Sequence, residues 1–504
     1  MKRFVVLLLA LSCTVSFVFA GGGNQAKSSA SGKTPMRYYM PGAPTPESDI
    51  AAKAINDALA RDGVAIDFQP LYIPWDQWVD KTNLMLSTGE EFELLHIMED
   101  YIPTATYASR RSLTPLTELI KKEAPALTAR FDKILWECAT VNGEIYSVPA
   151  NWRDASGDIE GDLVIRKDKF DQYRIAVPQT IPDLIQALTT LQQRWSVEDS
   201  VKRYVYEHSL GRPPVALHRA YDTWPFYVSQ DGIFQVRQNG EANLYWETEE
   251  FRKDTDFMNT LYSRGLIHPD ILNLPADTRR TNLNDLGDFL LGLMTGPNNT
   301  FELTAKGING EILHYKFNDN KPILMNMPLL NTNGIPVTAK HPEAGLKFLD
   351  WMYTNPENHD LVLYGVKGRH WNPVGNDKRE TIKGADGNPL YAFDYWMIEY
   401  IRYHRWDIED HSTELEKAIW TTNTRPDSTV VSPMVGFNFV SEPVRVEYAN
   451  VLAEYTASIL PIKVGVIPYA GNYPAAIAKM KAAGSDKVIA EYRKQLAAYI
   501  ASKK

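Results

Sequence analysis

Polar and aromatic side chains converge on one glycine-punctuated stretch near residue 370. Val366-Lys367-Gly368-Arg369-His370-Trp371 sets cationic or polar groups and an indole on flexible backbone, a combination suited to holding a ligand. Arg369 can grip a planar polar group, and a solvated guanidinium fits the same sequence equally well. Twelve tryptophans occur in 504 residues. Four of them, Trp75, Trp152, Trp224 and Trp371, stand beside Pro, Asn or Arg in stretches that read as loops, where binding residues concentrate. Aromatic rings present flat apolar faces with polar edges, which match the alternating C–H faces and hydroxyls of sugars. Each of the four is as readily a cleft residue as a core wedge. Trp351, Trp396, Trp406 and Trp420 sit in helix-like runs and read as core.

Bond-breaking chemistry finds little support. The chain has no phosphate-loop Gly-Lys motif, no His-Glu-x-x-His, no Gly-x-Ser-x-Gly and no calcium-loop pattern. Its ten histidines are scattered, so no metal, cofactor or catalytic residue is expected. Glu99 and Asp100 could act as an acid/base pair, but the separation that matters for such a pair is spatial. Solvated charge, or an acceptor for ligand hydroxyls beside Tyr101, is the simpler reading.

The elements that must position these groups follow from periodicity. Pro342 starts a helix whose Gly345, Phe348, Leu349 and Met352 share one face; Asn355 and Pro356 start a second helix, and Gly365 ends it. Near the amino end, Met36–Met40, Val64–Ile73 and Phe92–Met98 read as strands alternating with helices at Glu47–Arg61 and Trp75–Leu86. That order predicts a parallel sheet, with ligands at the carboxyl ends of its strands. The loops at Met40–Thr45, Leu71–Trp78 and Glu99–Tyr101 become site candidates.

Residues 1–20 carry Lys2 and Arg3, an apolar run and Val18-Phe19-Ala20, the anatomy of an export signal. The apolar run continues past Cys13, which favours cleavage after Ala20 over lipidation at Cys13. Residues 21–34 (GGGNQAKSSASGKT) form a flexible tether. Cys138 is then the one cysteine of the body, so no disulfide framework is expected. A net charge of −9 argues against nucleic acid as a partner.

Several segments carry a resemblance in order: Leu84–Met98 (LMLSTGEEFELLHIM), Leu113–Leu127, Asn142–Trp152 (NGEIYSVPANW), Leu163–Leu188, Leu261–Asp270 (LYSRGLIHPD) and His341–Trp371, ending in YGVKGRHW. Together they resemble the extracellular solute-binding proteins of ABC importers, family 1, in the lipoprotein-like branch. Residues 435–504, beginning Val435-Gly436-Phe437-Asn438-Phe439, resemble the domain of unknown function that closes many of its members. The resemblance implies a two-lobed α/β periplasmic-binding-protein fold, type II-like, with the ligand cleft between the lobes. It implies crossings near Pro149–Trp152, Met327–Thr332 and Trp371–Pro373. Lobe 1 is then 35–151 plus 328–372, and lobe 2 is 152–327 plus 373–504. The expected function is capture of an oligosaccharide or other carbohydrate and its delivery to membrane permease subunits, by an exported monomer that is periplasmic or held at the cell surface. Trp75, Asp100, Tyr101, Asn151, Trp152, Trp224, Arg369 and Trp371 are the expected ligand contacts. A secreted glycoside hydrolase or lyase is the alternative.

Overall fold

Alternating apolar residues in the first hundred positions become the sheet that organises the first lobe. The computed structural model describes residues 32–99, 101–150, 162–206, 214–229, 231–273, 291–292, 310–318, 320–326, 328–409 and 429–503. Strands Thr34–Pro41, Ile66–Ile73 and Leu94–Met98 run parallel, with Thr34–Pro41 in the middle. Asn331–Gly334 inserts antiparallel between Leu94–Met98 and Ser147–Ala150, pairing Asn331 with both Met98 and Ala150. Four strands therefore end at one edge, and the returning strand begins there.

The helical hairpin forms as the sequence predicts. Pro342–Thr354 and Pro356–Tyr364 meet at Asn355, whose side chain accepts from the Glu357 amide at 2.9 Å, and Gly365 ends the second helix at φ 78°. Gly345 is needed for close approach, since a β-carbon there would lie 2.8 Å from the Glu93 carbonyl oxygen. Phe348 stacks on Phe68 at 4.9 Å, closing the core between hairpin and sheet.

That core also contains Tyr391, Phe393, Met397, Ile398 and Tyr400, which corrects the expected exit at Trp371–Pro373. The Tyr391 hydroxyl donates to the Val362 carbonyl at 2.7 Å, and the Asn333 amide donates to the Met397 carbonyl at 3.1 Å. Residues 373–409 thus stay with the first lobe. Strand Ile323–Met325 belongs to the second lobe and Asn331–Gly334 to the first, and residues 151–161 and 410–428, with Trp152, Arg153 and Trp420, lie outside the described residues.

The second lobe has two apolar cores. One gathers Leu163, Ile165, Phe170, Leu188, Trp195 and Leu261. The other packs an antiparallel sheet of Phe226–Val228, Phe234–Arg237 and Ala242–Leu244 against C-terminal helices Arg445–Glu454, Tyr469–Ala482 and Ser485–Ser502, through Val451, Met480, Val488 and Leu496. Strands Ile323–Met325 and Thr429–Val431 pair in parallel beside the crossings. Among the described residues, no helix is long and apolar enough to cross a membrane.

Candidate ligand-binding cleft

The sheet edge where strands end opens onto a cleft of about 400 Å³ between the lobes, within the range of small-molecule sites. Glu99 follows strand Leu94–Met98 directly. Its carboxylate accepts from the Thr104 amide at 3.2 Å and from the Thr104 hydroxyl, fixing the start of the short helix Thr104–Ser109. Tyr101, Pro103, Ala105, Thr106 and Cys138 continue this wall. Burial pushes the Cys138 thiol up to about 12, so it stays protonated at neutral pH.

The opposite wall belongs to the second lobe and is aromatic. Phe234 stacks on Tyr492 at 3.9 Å, Phe439 meets Tyr492 at 5.2 Å and Tyr448 at 5.8 Å, and Phe437 meets Tyr492 edge-on at 5.4 Å. Phe437 and Phe439 both meet Tyr492 and so lie on one side of the strip from Val435 to Val440. The last helix clamps that strip. Gln495 exchanges two hydrogen bonds with the Val440 backbone, both at 2.9 Å, while the Tyr499 hydroxyl donates to the Val435 carbonyl at 2.6 Å. Gly436, at φ 78°, admits this contact, because a β-carbon there would lie 2.5 Å from the Tyr499 hydroxyl.

One carboxylate is set into the aromatic wall. Asp231 sits in the turn between strands Phe226–Val228 and Phe234–Arg237, where its Oδ1 accepts from the Ile233 amide at 3.0 Å and from the Ser229 hydroxyl. It is open to water yet surrounded by protein, and this desolvation raises its pKa against the lowering pull of those hydrogen bonds. Burial also pushes the phenols of Tyr227 and Tyr448 up, with Asp231 adding to both shifts, so they remain hydrogen-bond donors. Stacking faces, phenols and a carboxylate acceptor in one cleft can hold a polyhydroxylated ligand.

The expected contacts divide by place. Tyr101 lines the cleft at 55 % exposure, beside Glu99. Trp75 is 46 % exposed on the first lobe, beyond strand Ile66–Ile73, and faces Trp396 at 5.7 Å. It is not part of the cleft lining, and Trp396 is a half-buried partner rather than a core residue. Two expectations are corrected. Trp224 is 9 % exposed, meets Phe226 edge-on and donates its indole N–H to the Pro322 carbonyl at 2.8 Å. Trp371 is 4 % exposed and donates to the Gly365 carbonyl at 3.0 Å. Both are core residues, because their polar edges are satisfied by backbone within their own lobes. Arg369 is committed elsewhere: its guanidinium forks onto Glu47 at 2.7 and 2.9 Å, and the His370 Nε2 proton goes to the same carboxylate at 2.9 Å. These partners pull the Glu47 carboxyl down to about 2, Arg369 first. Asp100, Asn151 and Trp152 lie outside the described residues. Sequence reasoning missed Asp231 and Phe234, whose signal is an ordinary turn, and Phe437 and Phe439, whose alternation was visible without showing what they faced.

Two α/β lobes, joined by repeated crossings and parted by a cleft at the strand ends, make this the fold of the solute-binding proteins of ABC transporters. The chain has a TM-score of 0.75 to the N-glycan transport solute-binding protein NgtS of Streptococcus pneumoniae, at 18% identity over 94% of this chain and 100% of that one. An HMO-binding solute-binding protein of Bifidobacterium longum infantis gives 0.65, at 13% identity over 93% and 99%. A carbohydrate ABC transporter substrate-binding protein of S. pneumoniae serotype 4 is 22% identical over 96% of this chain and 94% of its own length. Residues 433–501 match a domain of unknown function, DUF3502.

Proposed function

We propose that this protein captures an oligosaccharide between its lobes outside the cytoplasm and presents it to ABC permease subunits. The observation that carries this reading is the cleft itself: an aromatic wall with an inset carboxylate faces Glu99 and Tyr101 across the strand ends. The solved relatives point the same way, since NgtS is described in complex with Man1GlcNAc and Man5GlcNAc and another relative, FusA, with kestose. Closure would be driven by contacts made only when both walls touch the ligand. Asp100, Asn151 and Trp152 belong to this proposal as contacts at the first crossing, and Trp75 as a rim residue. Action as a monomer, with the tether after residue 20 or a lipid at Cys13 setting its location, completes the reading.

Isothermal titration against mannose-type, fructose-type and milk-type oligosaccharides tests it. Tyr101→Ala and Phe439→Ala should each weaken binding by about tenfold, the value of one well-placed stacking contact. Wild-type affinity in both variants would remove the cleft as the site. Product appearing on prolonged incubation would support the hydrolase or lyase alternative.

A further inference from the structure

The turn that carries Asp231 into the cleft rests on the C-terminal helices. A β-carbon built on Gly232 would lie 2.8 Å from the Tyr455 hydroxyl and 2.9 Å from the Lys463 ammonium. Tyr455 opens a π-helical turn, Tyr455–Ile459, and Lys463 ends the short helix Leu460–Lys463 that follows. Such turns re-aim the side chains after them and recur at functional sites. Lys463 is 1 % exposed, an unusual place for an ammonium when an apolar residue of the same volume would serve stability at least as well.

Among the groups that face Lys463 are Asp231 from the turn, Asp254 from helix Glu249–Ser263, and the Tyr455 ring at 5.7 Å. Burial pulls the ammonium down to about 7, and the two carboxylates oppose it, Asp231 more than Asp254. Asp254 is already held, accepting from the Tyr221 hydroxyl at 2.6 Å and from His218 Nε2 at 3.0 Å. Asp231 is the carboxylate that looks into the cleft.

We propose that Lys463 is a positioning residue of the binding site, its ammonium lying against the underside of the turn and fixing Asp231 as an anionic acceptor for ligand hydroxyls. This assignment rests on the carbohydrate reading of the cleft. It also gives the C-terminal domain of unknown function a part in binding, because that domain supplies both the aromatic strip and the charge behind the carboxylate.

The test uses the full chain with Lys463→Met, Asp231→Asn and the double variant. Lys463→Met keeps the side-chain volume but leaves its carboxylate partners uncompensated, so each titration is run at a temperature where the variant is folded, and the double variant, which removes the Asp231 charge as well, serves as the control for the fold. For a glycan that the wild type binds, each single variant should lose about tenfold in affinity, and the double should lose no more than the weaker-binding single. Losses that multiply, or wild-type affinity in Lys463→Met, overturn the proposal. If the wild type binds none of the glycans, the carbohydrate reading falls and the coupling is read without ligand, by NMR titration of 13C-labelled lysine. Asp231→Asn should then lower the Lys463 midpoint; an unmoved midpoint overturns the assignment.

Discussion

Replacement of Trp371 by alanine removes an indole that meets Tyr364 edge-on at 5.6 Å and lies under the Arg405 guanidinium at 5.4 Å. Truncating a buried tryptophan costs about 3–5 kcal/mol, part of it from the Gly365 carbonyl, which is buried and loses its donor. In a lobe of this size each kcal/mol moves the midpoint by about 2–4 °C. Calorimetry should therefore show the first-lobe transition falling by roughly 6–20 °C. Trp371→Phe keeps the ring contacts, loses only the N–H bond and should recover most of that loss. Titration with glycan, at a temperature where the variant is folded, should return wild-type affinity, because nothing in the cleft lining changes. The reasoning fails if Trp371→Ala melts within about 2 °C of the wild type while binding collapses; the indole would then face the ligand.

Three further outcomes follow from the geometry. Gly436→Ala should push the aromatic strip off Tyr499 at a strain of about 1–3 kcal/mol and weaken glycan binding by more than about tenfold, whereas Gly387→Ala, at φ 81° with nothing within 4 Å, should bind normally in the same titration. Glu93 is fully buried and accepts from Arg37 Nε at 3.0 Å, Nη2 at 2.9 Å and the Arg37 amide at 3.0 Å; Glu93→Ala should cost about 2–3 kcal/mol in denaturant unfolding, the low end for a broken pair because Arg37 can reach water. Burial holds the His96 imidazole down at about 3, with Asn331 pulling the other way. A depressed histidine stabilises fully above its unfolded value and loses that stability as pH falls toward the folded value, so His96 should cost the fold roughly 2–3 kcal/mol between pH 6.5 and 4.5. His96→Asn should flatten that part of the denaturation profile; an unchanged slope refutes the assignment.

Local signals made the scaffold legible. Pro342, Asn355 and Gly365 each act within one or two turns of chain, so the hairpin could be drawn from the residues alone, and the alternation of Ile66, Phe68 and their neighbours exposed the sheet and the edge where its strands end. The direction of a side chain was not legible. Trp224 and Trp371 have the composition of cleft residues, but a carbonyl from Pro322 or Gly365, reached only through the fold, decides that they point inward. The family resemblance set the last exit from the first lobe at Trp371–Pro373. What retains the following segment is a set of long-range contacts, among them Tyr391 to Val362 and Asn333 to Met397, the latter bridging 64 positions, and no periodicity encodes such bonds. Asp231 was hidden for the same reason: its turn reads like any other until the C-terminal helices are placed beneath it.

The C-terminal segment touches both lobes, and the strength of that contact bears on how the cleft works. On the first-lobe side, Lys503 reaches Glu137 at 3.7 Å, with both side chains more than a third exposed, and a β-carbon on Gly436 would sit 3.5 Å from the Glu137 carbonyl oxygen. An ion pair so exposed is worth about 0–1 kcal/mol. On the second-lobe side the same segment is held by Gln495, Tyr499 and the stacked Phe234–Tyr492 pair, contacts that are buried or half-buried and directional. The aromatic strip therefore travels with the second lobe. Among the described residues the strip is held more weakly by the first lobe, through Glu137 and Cys138, than by the second, and under the proposed function a ligand that stacks on Phe439 while touching Tyr101 would favour the closed form.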